Sequence, residues 1–191
     1  MERQLPTYCR QFSVLTSALL RMIGRPVRSR CGFCPALLDR FGAGRFLDHW
    51  WVEYWSNARA RWVRMDTAMD ERLTTALGLD FDPRDIPDGN YLSGAEAWQR
   101  CRSGEADPLL FGVPGLWGVE IVRGNVIRDL AALNKVELLP WDQWDFVDES
   151  PIGEGEHDSL IDEVALAVMS ADWLQPRLLY EEKPILQLSV P

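Results

Sequence analysis

The chain has 191 residues, 47% hydrophobic and 26% charged, so it can bury a core of its own and is neither disordered nor fibrous. Its net charge of -9 makes nucleic acid a poor partner. No apolar run approaches the ~20 residues of a membrane span, and four irregularly spaced cysteines do not make a disulfide scaffold.

The charge is split along the chain. Residues 1–66 carry eleven arginines against five carboxylates, and residues 67–191 carry nine Lys/Arg against 24 carboxylates. Mutual neutralisation of the two parts on folding is the simpler reading; a basic face on an acidic body is the other. The opening residues, MERQLPTYCR, contain no apolar signal stretch. Reduced thiols and a cytoplasmic location are therefore expected.

In chain order, Cys9 to Ile23 reads as a helix, with Phe12, Leu15, Leu19, Met22 and Ile23 recurring at three- and four-residue steps. Thr7 is the expected N-cap, and Gly24 with Pro26 beyond it marks the stop. Cys9 thus falls in the first turn. In PVRSRCGF (26–33), Val27, Ser29, Cys31 and Phe33 alternate with Arg28 and Arg30, as in a strand with one wet face. A Gly-, Arg- and Asp-rich loop follows (39–45). FLDHWWVEYWS (46–56) and ARWVRMD (60–66), joined by NAR, read as an antiparallel hairpin.

Beyond Asp66 the character changes. A loop is expected at 83–91 and a short helix at 94–105. A longer helix at 117–136 places Val119, Val122, Val126, Leu130 and Leu133 on one stripe. An acidic, glycine-rich linker (150–158) leads to a last helix at 159–173. The fold class is α+β: a unit at 1–70 in which the Cys-bearing helix packs on an antiparallel sheet, then a mostly helical part at 71–191 that packs on it.

The first part orders a thiol at a helix start, a histidine on a strand and an aspartate ending the next strand. A cysteine nucleophile needs a base and an orienting group near in space, and adjacent strands can bring His49 and Asp66 together. Asp48 neighbours His49 and points to the opposite face of a regular strand. The helix N-terminus favours a thiolate at Cys9 and offers a free amide to an oxyanion.

CRQFSVLTSALLRMIGRPVRSRCGF, then DHWWVEYW, then RWVRMDTA, resembles the transglutaminase-like (papain-like) superfamily across about residues 5–70. The resemblance implies Cys9 as nucleophile, His49 as general acid/base and Asp66 as orienting acid. It also places Trp51 where the family keeps a tryptophan two residues after its histidine, as a wall of the site, and offers Gln4 as an oxyanion donor.

The remaining signals carry less. Cys31-x-x-Cys34 suggests zinc or redox chemistry, but no second such pair follows and only two histidines exist. Cys31 reads as core and Cys34 as incidental, and Cys101 and His157 have no visible partners. The cluster Trp50, Trp51, Tyr54, Trp55 and Trp62 reads as core and hairpin pairing. The arginines at 28, 30, 59, 61 and 64 read as solvated strand faces, or as an attraction for an anionic substrate.

The resulting expectation is thiol-dependent acyl transfer or amide hydrolysis on an amide or ester substrate, with no metal or organic cofactor and no membrane or nucleic-acid partner. The alternative is a non-catalytic binding module on the same fold. Only eight residues precede Cys9, so the expectation is either a homodimer that completes the wall of the cleft, which is the favoured reading, or a weakly active, open site.

Overall fold

The computed structural model describes residues 7–35, 44–136 and 138–188. Gln4 and most of the 39–45 loop lie outside the described residues. Helix α1 (Cys9–Met22) is followed by strands β1 (Val27–Pro35), β2 (Phe46–Ser56) and β3 (Arg61–Met65). Then come α2 (Glu71–Leu77), β4 (Leu92–Ser93), α3 (Gly94–Arg102), β5 (Phe111–Val113) and β6 (Leu116–Trp117). Helices α4 (Val119–Leu133), α5 (Asp158–Met169) and α6 (Leu174–Glu182) complete the chain.

The described strands form one mostly antiparallel sheet in the order β4-β1-β2-β5-β6, with β3 also paired to β2. β5 joins β2 in parallel through Phe46 and Leu47. The second part of the chain therefore adds strands to the sheet as well as helices over it.

Helix α1 begins at Cys9, as expected, but its cap falls one residue after Thr7. Tyr8 is the N-cap, and its backbone N–H donates to Gln11 Oε1 at 3.1 Å. The stop is as expected: Gly24 takes φ +73, a left-handed value that a side chain opposes, and lets Arg25 N–H reach Leu20 O.

The buried face of α1 is not its apolar stripe. Phe12, Leu15, Leu19, Met22 and Ile23 face outward, from 39% exposed at Phe12 to 82% at Met22. Ser13 and Ser17 lie underneath. Ser13 Oγ donates to Trp51 O at 2.8 Å, Ser17 Oγ meets Ser29 Oγ at 2.9 Å, and Thr16 meets Thr67 at 2.8 Å. Small hydroxyl side chains let the helix approach the sheet closely and find partners there.

Helix α4 departs from the one-stripe expectation in the other direction. Every residue from Ile121 to Ala132 is buried, Arg123, Asn125, Arg128 and Asp129 included. The helix packs against β1, α3 and α5, and its polar groups are matched. Asp129 accepts from Arg30 at 2.9 and 2.7 Å and from Cys31 N–H at 3.0 Å. It starts at Val119 because Gly118, at φ +126, turns the chain out of β6.

The expected final helix (159–173) ends earlier, at Met169, and a further helix, α6, follows it at Leu174–Glu182. Ser170 is extended, and its hydroxyl accepts from Asp172 N–H at 3.0 Å, which ends α5 and launches α6. The main core gathers Phe33, Trp98, Phe111, Val122, Val126, Leu130, Ile161 and Val164. Trp98 Nε1 donates to Asp162 at 2.7 Å, tying α3 to α5.

The strand arginines are held by carboxylates. Glu53 lies 2.6 Å from Arg28, 3.1 Å from Arg30 and 3.4 Å from Arg64. Arg59 and Arg61 pair with Asp85, and Arg64 with Glu96. Arg30 is buried, not solvated. Arg30–Asp129, Arg64–Glu96 and the Asp85 pairs join the basic first part of the chain to the acidic second part.

Candidate active site

The β1–β2 register sorts the side chains near His49. Cys31 pairs with Trp50, Gly32 with His49 and Cys34 with Leu47. Directly paired residues share a face and successive residues alternate. Trp50, Cys31 and Ser29 thus face α1. His49, Trp51 and Cys34 leave the other side, as does Asp66, one residue past β3.

On that second face a polar group assembles. His49 Nε2 lies 2.7 Å from Asp66 Oδ2, both buried. Tyr91 OH donates to the same oxygen at 2.8 Å, and Ala68 N–H donates to Oδ1 at 2.9 Å. The Tyr91 ring stands edge-on to His49 and to Trp51, with centroids 5.6 Å away in each case. Cys34, Trp51, Ile86 and Tyr91 form one buried cluster there.

The electrostatics follow from that company. Burial disfavours a charged His49 ring, yet Cys34 and Asp66 outweigh it and hold its pKa well above the ordinary value. Burial pushes Asp66 up, but His49 and the hydrogen bonds from His49, Tyr91 and Ala68 bring it below the usual carboxylate range. Burial and the Asp66 charge raise the Tyr91 phenol, so it stays a donor. With Nε2 on Asp66, Nδ1 is the ring nitrogen left to exchange a proton.

Cys9 is the first residue of α1 and half-buried. It packs against Cys31, Trp50 and Ala132, on the α1 face of the sheet. Among the described residues no hydrogen bond joins it to His49. The structure thus brings His49 and Asp66 together, seats Cys34 on the same face as the His49 ring, and leaves Cys9 across β2 beside Trp50.

Trp51 shares the His49 face and is fully buried there against Tyr91. Asp48 points away: its Oδ1 accepts from Asn125 Nδ2 at 2.9 Å. Cys31 and Cys34 leave opposite faces of β1, so they do not chelate jointly. No group of three or more His, Cys, Asp or Glu residues suited to a metal converges among the described residues. No described helix is long and apolar enough to cross a membrane.

Residues 3–67 match the transglutaminase-like superfamily. The match covers α1 and the β1–β2–β3 core, and it includes Cys9, His49 and Asp66. That superfamily is typically built for Cys-His-Asp thiol acyl transfer or hydrolysis. No curated protein and no solved structure matches the chain.

Tyr91 lies outside the transglutaminase-like segment, and sequence reasoning missed it. It follows the Asp88-Gly89-Asn90 turn with no periodicity of its own, and it is brought to Asp66 by the short β1–β4 pairing at Gly32 and Phe33 together with ties of its loop to β3, where Ile86 N–H donates to Arg64 O at 3.0 Å and Arg64 Nη1 donates to Tyr91 O at 2.9 Å. Cys34 was legible only through the register: it stands two residues past Gly32, the partner of His49.

Proposed function

We propose that the chain is a thiol-dependent enzyme that transfers or hydrolyses an acyl group from an amide or ester. The supporting observation is the buried His49–Asp66 pair, 2.7 Å apart, inside a segment matched to the transglutaminase-like superfamily. Cys9 is the nucleophile in this reading. It opens α1, where the first-turn amides have no acceptor within the helix and favour negative charge. Cys9 lies across β2 from the buried His49 ring, so this reading also requires the start of α1 to move around β2 toward the ring when substrate binds.

The Cys9 thiolate attacks the carbonyl carbon and forms a C–S bond, with the oxyanion held by first-turn amides. His49 gives its Nδ1 proton to the leaving amine or alcohol as the C–N or C–O bond breaks. Water or an amine then attacks the thioester, His49 takes its proton back, and the thiolate leaves. Asp66 keeps Nε2 occupied and stabilises the imidazolium, and Tyr91 orients Asp66.

One observation favours a second reading in which Cys34 is the nucleophile: it is the thiol on the His49 face. Treatment with an electrophilic amide mimic, followed by peptide mapping, separates the two. An adduct on Cys9 supports the first, an adduct on Cys34 the second, and no adduct with full thiol content supports a non-catalytic binding module.

A further inference from the structure

A second feature lies at the opposite face of the sheet from His49, between α1 and the end of α4. A small recess of about 80 Å³ is walled by Arg10, Arg21, Lys135 and Trp50, over the Ser17–Ser29 hydroxyl pair. Among the described residues no carboxylate lines it. Two of its donors, Arg10 Nε and Trp50 Nε1, are buried without a hydrogen-bond partner. Unmatched buried donors cost about 1–3 kcal/mol each, and a bound acceptor removes that cost.

Arg21 and Lys135 also line a larger neighbouring cleft of about 870 Å³, within the range of small-molecule sites. Its apolar and aromatic lining includes Leu133, Trp62 and Trp173, the last 72% exposed. Its carboxylate, Glu181, is paired at 2.7 Å with Arg177. Arg28 is stacked on Trp62 at 4.3 Å and tied to Glu53. After those pairings, Arg10, Arg21, Arg25 and Lys135 remain without a carboxylate partner among the described residues. This surplus of positive charge sits on a chain of net charge -9.

Lys135 adds a backbone signal. It holds φ +62 just past α4, a position that favours glycine and costs a side-chain-bearing residue about 1–2 kcal/mol. The same turn closes α4, with Val136 N–H reaching Ala131 O at 3.0 Å.

We propose that the recess and cleft bind a phosphate ester of a flat ring. The phosphate takes the recess, where guanidinium forks, an ammonium and an indole N–H surround it, and the ring lies on the tryptophans of the cleft. A phosphate-sized volume with donors on several sides suits a tetrahedral anion better than a planar carboxylate.

The test is titration of the full chain with phenyl phosphate, benzoate and phenol, followed by intrinsic tryptophan fluorescence. Phenyl phosphate gives a saturable change that weakens with salt, and binds about tenfold or more tightly than phenol or benzoate, the margin that one charge-assisted contact supplies. Arg21→Gln and Lys135→Gly each weaken it about tenfold. The glycine variant suits the left-handed backbone, so a normal melting temperature accompanies the loss. Cys9→Ala binds as the parent does, which separates this site from the thiol chemistry. The proposal is overturned by no saturable change up to about 10 mM phenyl phosphate, by phenol or benzoate binding as tightly, or by both charge variants binding normally.

Discussion

Tyr91 and His49 share one oxygen of Asp66: the phenol donates from 2.8 Å and the imidazole nitrogen lies 2.7 Å away. A residue from outside the matched segment thus completes the hydrogen bonding of the aspartate inside it. Tyr91→Phe leaves the ring contacts and removes the donor. The expected result is a loss of about 1–3 kcal/mol in urea unfolding. In a turnover assay kcat falls with KM little changed, because Tyr91 acts through Asp66 and not on substrate.

The same pair predicts the pH dependence of stability. The folded His49 pKa is raised, so the folded state binds the extra proton. Its contribution is full below the unfolded value of about 6.5 and is lost as pH rises through the raised value. Asp66 is depressed, so its contribution is present above about 3.9 and is lost as pH falls through the folded value. Unfolding measured from acid to alkaline pH shows both declines. In His49→Ala the alkaline one disappears; if it persists unchanged, another group carries it.

Cys9→Ala is expected to abolish acyl transfer while moving stability by at most ~1–2 kcal/mol, since alanine suits a helix start. Asp66→Asn weakens turnover less than His49→Ala, because the acid orients and the base moves protons. Asp48→Asn leaves turnover intact, since that carboxylate is held by Asn125 on the opposite face. Full activity in Cys9→Ala with loss in Cys34→Ala moves the nucleophile to Cys34.

Glu53 sits among three guanidiniums. Burial raises its pKa, but Arg30, Arg28 and Arg64 outweigh that and lower it to about 2. Its contribution to stability is therefore complete above about 4.3 and is lost as pH falls towards 2. Glu53→Gln leaves Arg28 without its carboxylate, while Arg30 keeps Asp129 and Arg64 keeps Glu96, and is expected to cost about 3 kcal/mol in chemical unfolding. A cost under about 1 kcal/mol would mean that water, and not Glu53, balances the arginines.

The outward stripe of α1, from Phe12 to Ile23, is the expected contact for a second copy, since monomers rarely leave such a row uncovered. Sedimentation at micromolar concentration should show a dimer, and Leu19→Glu with Met22→Glu should return it to monomer without loss of helix content. A parent chain that sediments as a clean monomer contradicts this.

The local features were legible in the residues. Cys9 opens a helix that Gly24 and Pro26 close, the β1, β2 and β3 strands lie where alternation and turn residues put them, and the Asp66 side chain reaches His49. These depend on short-range backbone preferences, which a stretch of ten or fifteen residues carries within itself. The face that α1 buries did not follow from its apolar spacing. Two serines find hydroxyl and carbonyl partners on the sheet, and that match exists only once β1 and β2 are beneath them. Asp129 and Asn125 could not be read as buried on α4, because Arg30, Gly32 and Asp48 stand far away in sequence. Likewise Tyr91 reaches Asp66, and Cys34 shares a face with His49, through strand order and register. Those are set by the packing of the whole chain, since long-range pairing is decided by which partner each polar or apolar group meets when the core closes.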